Sequence, residues 1–331
     1  MARVSRMTAP YHVEAIDEIG LENPEEVQDH ILNFVGGTKG QMTPAICGVY
    51  PLRRVVRRAT LENAAKAKEP SFLPEYLKSQ FKVDLDVFSM AALNASDGLA
   101  FTPDRGATKE LVFCGAPKDE LNEEQDRLVS YGLFPQRIEI GTIGTLGGLM
   151  HHCDVEKMHS PTLVLEISSE SAQVLIFHDG ELQVARPIPY GLNSMYPVVQ
   201  KELGLKDEES AKKLFSSNTF DFTEMGQTLL RKLMKELQAS TGFYEVQTGQ
   251  TIGQIYLGLL PENLSWVGST LSRNLGVEEL IVDLNDWIST QNITISDQVE
   301  LAGRGARWFS LFSLIGNYNP IKDGKAANGE G

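Results

Sequence analysis

Three short apolar runs follow one another near the middle of the chain, and polar turns separate them. The runs cover residues 163–167, 172–177 and 182–188. Asp179 and Gly180 lie between the last two runs, and Asp-Gly between β-rich segments is a strong hairpin signal because glycine adopts positive φ easily. Gly191 ends the third run, and helical periodicity begins near Met195. The pattern predicts three consecutive strands followed by a helix.

The rest of the second half alternates between helical and strand patterns. Leucines at helical spacing, including Leu229, Leu233 and Leu237, predict a long helix over about residues 222–248. The other elements predicted there are helices over 194–203, 208–215, 265–275 and 302–315 and strands over 255–259 and 279–283. This order predicts an α/β lobe with a five-stranded mixed sheet within residues 161–285.

The first half contains a second set of α/β elements. A strand over 11–16, a weaker strand before Thr8, a helix over 24–34 and a strand over 45–50 come first. Residues 51–136 then read as a compact α+β unit of their own, with elements at 52–60 (strand), 72–81 (helix), 83–93 (strand), 110–116 (strand) and 122–131 (helix). A strand over 137–140 and a glycine-rich helix over 141–149 complete this half.

The polar stretch 150–160 is the predicted boundary between two lobes. We therefore assign residues 1–150 to a first lobe that contains an inserted subdomain at 51–136, and residues 151–319 to a second lobe. Residues 320–331 are polar and glycine-rich, which predicts a disordered tail.

Composition narrows the classes of function. The net charge of −14 and a pI near 5.0 argue against nucleic-acid binding through phosphates and against unassisted adsorption to anionic lipid. The three cysteines are too few and too scattered for a disulfide framework or a zinc site, which favours a reduced, cytoplasmic compartment. The sequence shows neither a signal peptide nor an apolar run of the roughly 18 residues that a membrane span needs.

Three segments resemble the PilM family of type IV pilus assembly proteins. They are LVFCGAPKDELNEEQDRLVSYGLFPQRIEI (111–140), ARPIPYG with the following LGLKDEESAKKL (185–191 and 203–214), and IYLGLLPENLSWVGSTLSRNLGVEELIVDL (255–284). Their order and spacing carry the resemblance, which spans roughly residues 24–318. It implies an α/β, two-lobed actin/Hsp70-like (ribonuclease H-like) fold with a small inserted α+β subdomain.

The resemblance places a degenerate nucleotide site at Glu166, Ser168, Ser169, Ser171 and Gly191. A phosphate hairpin of this fold reads Asp-Ile-Gly-x-x-x-Thr, in which glycine lets the backbone approach phosphate and aspartate holds Mg²⁺. This chain reads EISSESA over residues 166–172, so the carboxylate is longer and the glycine has become serine. The added charge of Glu170 would oppose a polyphosphate.

Two further departures affect nucleotide binding. The adenosine motif of the family has Gly-Gly after its strand, whereas this chain has Leu259-Leu260-Pro261. The first phosphate hairpin, expected before Tyr11, is missing from the sequence. We therefore expect a pseudo-ATPase with no catalytic residue, no metal and no ATP cofactor. The alternatives are an active ATPase that uses Glu166 as its Mg²⁺ carboxylate and a small-molecule kinase of the same superfold, although the intact Asp-x-Gly hairpin of such kinases is not seen.

Other motifs have simpler interpretations. The pairs Arg53-Arg54 and Arg57-Arg58 fit a phosphate patch or a solvated edge strand, and the acidic total favours the strand. The run HHCD at 151–154 suggests a metal cluster, but adjacent residues rarely reach one ion together. TIGTLGG at 142–148 lacks the lysine and the spacing of a phosphate loop, which favours a glycine-rich lobe connection.

The resemblance also implies a role and a partner. We expect a cytoplasmic scaffold, peripheral at the inner membrane and not inserted in it, in a type IV pilus or type II secretion-like platform. The implied partner is the cytoplasmic tail of a PilN-like inner-membrane protein, docked between the first lobe and the inserted subdomain near residues 51–58. Neither nucleic acid nor a small-molecule substrate is expected.

Overall fold

The computed structural model describes residues 1–21, 23–38, 40–95, 98–103, 109–217, 219–301 and 305–316. The predicted tail at 320–331 lies outside these residues. The strands are β1 (Ala2–Val4), β2 (Tyr11–Ile16), β3 (Thr43–Val49), β4 (Val55–Thr60), β5 (Phe88–Asn94), β6 (Glu110–Pro117), β7 (Leu133–Ile140), β8 (Thr162–Ile167), β9 (Ala172–His178), β10 (Glu181–Ile188), β11 (Gln254–Gly258), β12 (Glu278–Glu279) and β13 (Ile293–Ile295). The helices are α1 (Pro24–Val35), α2 (Phe72–Phe81), α3 (Lys118–Ser130), α4 (Gly141–Val155), α5 (Tyr196–Leu203), α6 (Glu208–Ser216), α7 (Gly226–Thr248), α8 (Trp266–Leu275), α9 (Leu284–Ser289) and α10 (Ala306–Ser313).

The second lobe is built on a five-stranded mixed sheet in the order β10-β9-β8-β11-β12. Strands β8, β9 and β10 are antiparallel to their neighbours in a meander, whereas β11 runs parallel to both β8 and β12. The predicted mixed sheet is confirmed. Asp179 and Gly180 form the predicted hairpin turn, and both have positive φ.

The central strand β8 is buried along its whole length because helices cover both faces of the sheet. Leu163, Leu165 and Ile167 pack with α5, α7 and α8 in one core. Val164 points to the opposite face, where it joins a second core with α4, α9 and α10. Since successive side chains of a strand alternate between faces, Glu166 also lies on the α4 and α10 side.

The first lobe contains a sheet in the order β1-β2-β13 and a parallel pair, β3-β7. Because β1 and β2 pair antiparallel, a hairpin turn does precede Tyr11, and the expectation that this hairpin is missing is wrong. Strand β13 pairs parallel with β2, so the chain returns to the first lobe after β12. The predicted second lobe at 151–319 is therefore too long: α9, β13 and α10 pack with first-lobe elements. Sequence patterns identify elements but not the sheet that a late strand joins.

The inserted subdomain is the antiparallel sheet β4-β6-β5 with α2 packed on it. It ends near Pro117 rather than at residue 136, because α3 packs on β7 and β7 pairs with β3 of the first lobe. Strand β4 also contacts β10, so the subdomain rests on the second lobe.

Helix α4 extends to Val155, through the first part of the connector predicted at 150–160. Its glycines let α10 approach closely: a Cβ atom at Gly148 would lie 2.6 Å from Ser313 Oγ, and one at Gly144 would contact Leu314. The glycine-rich run TIGTLGG is thus a helix–helix contact. Within the described residues, no helix combines the length and the apolar character that crossing a bilayer requires.

Phe309 of α10 offers a test of this packing. Its ring is 1% exposed and lies 4.8 Å from Trp287 and 5.8 Å from Tyr256, measured between ring centroids. We expect Phe309→Ala to lower the free energy of unfolding by about 3–5 kcal/mol, because it leaves a cavity between the lobes. Urea denaturation measures this loss. The control is Phe243→Ala on the surface of α7, where the ring is 59% exposed; equal effects of the two changes would contradict the packing.

Candidate functional site

The strand β8 carries Glu166 into the interface between the two lobes, where its side chain is fully buried. Its Oε2 accepts a hydrogen bond from Thr142 Oγ1 at 2.5 Å and lies 3.2 Å from Arg54 Nη2. Thr142 is in the first turn of α4 in the first lobe, and Arg54 lies in the turn before β4. One carboxylate of the second lobe thus binds two side chains of the other half of the molecule.

Arg54 is held by several contacts besides the ion pair. Its Nε donates to Thr142 Oγ1 at 3.1 Å, and its Nη1 donates to the carbonyl oxygen of Pro51 at 3.2 Å. The guanidinium also lies over the Tyr50 ring, 5.7 Å from the centroid. Because both ionic side chains are almost completely buried, water does not screen the pair. We call Tyr50, Arg54, Thr142 and Glu166 the interlobe clasp.

Burial dominates the electrostatics of the interlobe clasp. It raises the pKa of Glu166, while Arg54 and the Thr142 hydroxyl act in the opposite direction. Burial also raises the pKa of Tyr50 to about 12, and the nearby charge of Glu166 adds to that rise. An ion pair removed from water in this way is stable only with a well-placed partner, and Arg54 supplies it.

These residues do not fit Mg²⁺. The ion prefers about six oxygen ligands, several of them water, in octahedral geometry. At Glu166 one oxygen already binds Arg54 and Thr142, and the other has no partner among the described residues. The positive charge beside the carboxylate is the guanidinium of Arg54. No group of three metal-binding side chains is present within the described part of the chain.

The predicted phosphate turn is closed by its own hydrogen bonds. The Ser168 amide and hydroxyl both donate to the Ser171 carbonyl oxygen, at 2.9 and 2.8 Å. The carbonyl oxygens of Ser168 and Ser169 accept from the amides of Leu192 and Asn193, at 3.0 and 2.8 Å. The turn therefore packs on the segment that follows β10.

Gly191 belongs to the same contact. A Cβ atom there would lie 2.5 Å from the Ser169 carbonyl oxygen, so only glycine fits. The structure thus brings Ser168, Ser169, Ser171 and Gly191 into contact with one another. Glu166, the fifth predicted residue, instead binds Arg54 and Thr142.

At the position of the adenosine motif, the backbone adopts a conformation that favours glycine, although no glycine is present there. Leu259 follows β11 with φ of +66°, a conformation that costs a leucine roughly 1–2 kcal/mol. Leu260 and Pro261 come next and line a surface pocket. At the position of this motif, Leu260 and Pro261 thus form one wall of an open pocket in place of bare glycine backbone.

The arginines near β4 form contacts with other groups of the same chain. Arg53 forms ion pairs with Asp119 and Glu120. Arg58 lies 2.8 Å from Glu110, and Arg57 donates to the Val56 carbonyl oxygen. Arg53 and Arg58 therefore already have acidic partners within the molecule.

Sequence reasoning missed the residues that partner Glu166. In the sequence, Arg54 reads as half of a surface pair and Thr142 as part of a glycine-rich run. The hydrogen bonds that join them to Glu166 span 112 and 24 residues of chain. No local signal separates Arg54 from its neighbour Arg53.

The interlobe clasp predicts an asymmetric response to mutation. We expect Arg54→Met to cost about 3–5 kcal/mol in the free energy of unfolding, because Glu166 is left buried without a counter-charge. The double variant Arg54→Met/Glu166→Leu should recover most of that loss. The matched control is Arg53→Met, whose ion pairs are exposed, with a loss under about 1 kcal/mol. Denaturant unfolding of the four proteins decides between a structural pair and an incidental contact.

The stability of the same variants should depend on pH in different ways. Without Arg54 the pKa of Glu166 should rise further above its ordinary value of 4.5, so the folded state binds more protons than the unfolded state above that pH. The stability of Arg54→Met should therefore fall as pH rises from about 4.5 toward the folded pKa. Its deficit should be smaller near pH 5 than near pH 8, and the double variant should not show this trend.

Comparison with known proteins bears on the fold. No protein-family model and no curated protein sequence matches the chain. Among solved structures, the chain is similar to the PilM-PilN type IV pilus biogenesis complex, with a TM-score of 0.66 and 15% identity over 95% of this chain and 93% of that chain.

Two further structures match at lower scores. One is a Bacteroides thetaiotaomicron protein with an actin-like ATPase fold and unknown function, with a TM-score of 0.39 and 7% identity over 87% and 79% of the two chains. The other is the cytoplasmic domain of EpsL from the Vibrio cholerae type II secretion system, with a TM-score of 0.36 and 11% identity over 78% and 76%. Together with the sheets described above, the similarity to the pilus complex shows that the chain has a two-lobed actin-like α/β fold.

Proposed function

We propose that the protein is a scaffold of a type IV pilus or type II secretion-like assembly platform and that it works without hydrolysing ATP. The observation that carries the proposal is the buried pair of Arg54 and Glu166. A guanidinium lies against the carboxylate that the resemblance assigns to a divalent cation, and it joins the lobes through its own contacts. Such a body is suited to binding other proteins.

The solved structure with the similar fold supports the choice of machinery. Its description names PilM together with PilN in a type IV pilus biogenesis complex. We propose a partner of the same kind, a membrane protein whose cytoplasmic tail binds this chain. The protein would then lie in the cytoplasm at the inner membrane, held there by its partner.

The resemblance implies docking between the first lobe and the inserted subdomain. Because Arg53, Arg54 and Arg58 already have acidic partners, contact with the tail would depend on apolar side chains and backbone groups. Leu52 in the turn before β4 and Phe134 on β7 are exposed apolar residues of this region. Strand β7 pairs only with β3 among the described strands, which leaves an edge for an extended peptide.

Nucleotide binding separates the scaffold from an ATPase. We expect isothermal titration with Mg-ATP to give no binding at micromolar concentrations, because Arg54 occupies the cation side of Glu166 and the turn at Ser168 is closed. Titrations with Mg²⁺ alone and with ATP in EDTA are the controls. A dissociation constant in the low micromolar range would instead favour the ATPase that uses Glu166 as its Mg²⁺ carboxylate.

Partner binding tests the scaffold directly. The probe is the cytoplasmic tail of a single-span membrane protein encoded next to this gene, and a scrambled tail is the control. We expect wild-type protein to retain the tail in a pull-down and Phe134→Asp to retain much less, while Phe243→Asp on α7 behaves like wild type. Failure of folded wild-type protein to bind an intact tail would contradict the scaffold proposal.

A further inference from the structure

A cavity of about 240 Å³ lies between the end of β11 in the second lobe and the start of α10. Its walls are the end of β11, the start of α8, the segment after β12 and the start of α10. Most of the lining side chains are apolar, among them Leu257, Leu260, Pro261, Ile281, Val282 and Phe309. The cavity is large enough for one or two amino-acid side chains.

Glu279 is the one charged residue among the described residues that line this cavity. Gly268 of α8 makes room for it, since a Cβ atom at that position would collide with the carboxylate. Burial alone raises the pKa of Glu279, and no lysine or arginine contributes to the shift. The carboxylate thus faces an apolar cavity without a counter-charge from the described residues.

The rim of the cavity is both apolar and acidic. Ile281 is 80% exposed, which is unusual for an aliphatic side chain beside a cavity. Glu279 supplies the negative charge of the lining. Among the described residues, no side chain caps the first turn of α10, which begins after Gly305.

We propose that this cavity binds a peptide segment in which an apolar side chain stands next to a lysine or arginine. The apolar side chain fills the cavity against Leu260 and Phe309, and the cation pairs with Glu279. The source of the segment, which rests on the proposed function, is a part of the partner's cytoplasmic tail other than the part that docks at β7. Cytoplasmic segments close to a membrane span are enriched in lysine and arginine, and the net charge of −14 attracts them.

Other occupants fit these features less well. An anionic ligand would meet the charge of Glu279 at close range. A wholly apolar segment would cover Glu279 without a partner, and that desolvation costs free energy. An apolar group with an adjacent cation can contact the apolar lining and pair with Glu279 at the same time.

The chemistry of the cavity can be tested with small probes of matched length. We expect saturation-transfer NMR to show that the wild-type protein binds hexylammonium at least about tenfold more tightly than hexanol or hexanoate. Glu279→Gln should remove this preference with little change in shape. Glu278→Gln, one residue away and not part of the lining, should keep it. Equal binding of the three probes, or an equal effect of the two variants, would overturn the proposal.

The partner tail supplies the second measurement. Glu279→Gln should weaken its binding about tenfold, whereas Glu278→Gln should bind like wild type. If the tail binds and Glu279→Gln has no effect, the cavity is not a docking point and the scaffold proposal still stands. If the tail does not bind wild-type protein, the scaffold proposal and the assigned source of the segment are both contradicted. The preference for hexylammonium then still tests the chemistry of the cavity independently of the tail.

Discussion

The two lobes depend on one buried charge pair. Glu166 stands on the central strand of the second lobe, and Arg54 reaches it from the turn that opens the inserted subdomain. Removing these charges from water costs free energy. Their mutual attraction and the hydrogen bonds to Thr142 and Pro51 offset that cost only in this geometry. The relative position of lobes and subdomain is therefore coupled to one side-chain arrangement. Apolar packing alone would tolerate small rotations.

The backbone path strengthens that coupling. The chain passes from the first lobe to the second after α4 and returns after β12, where β13 extends the first sheet and α10 packs against α4. Phe309 and Phe312 of α10 belong to the same core as Val164 of the second-lobe sheet. Connections in both directions and a shared core make the lobes one body, although each has its own sheet.

Many of the helices and strands could be predicted from the sequence because they depend on local patterns of apolar and turn residues. Alternation and the Asp-Gly turn predict the β8-β9-β10 meander, and leucine spacing predicts α7. What the sequence could not reveal is contact between distant segments. It does not show that residues 293–295 join the first sheet or that Arg54 meets Glu166. Four of the five residues assigned to the degenerate site do come together, since a short turn and the following segment bring them there. Glu166 differs because its environment comes from the other half of the molecule.

The Arg54 guanidinium has a kinetic consequence as well as a structural one. A cation carried on the same chain does not exchange with solvent, and its local concentration is fixed by the fold. The contact between Arg54 and Glu166 therefore forms when the chain folds, and it does not depend on the supply of a cation from solution.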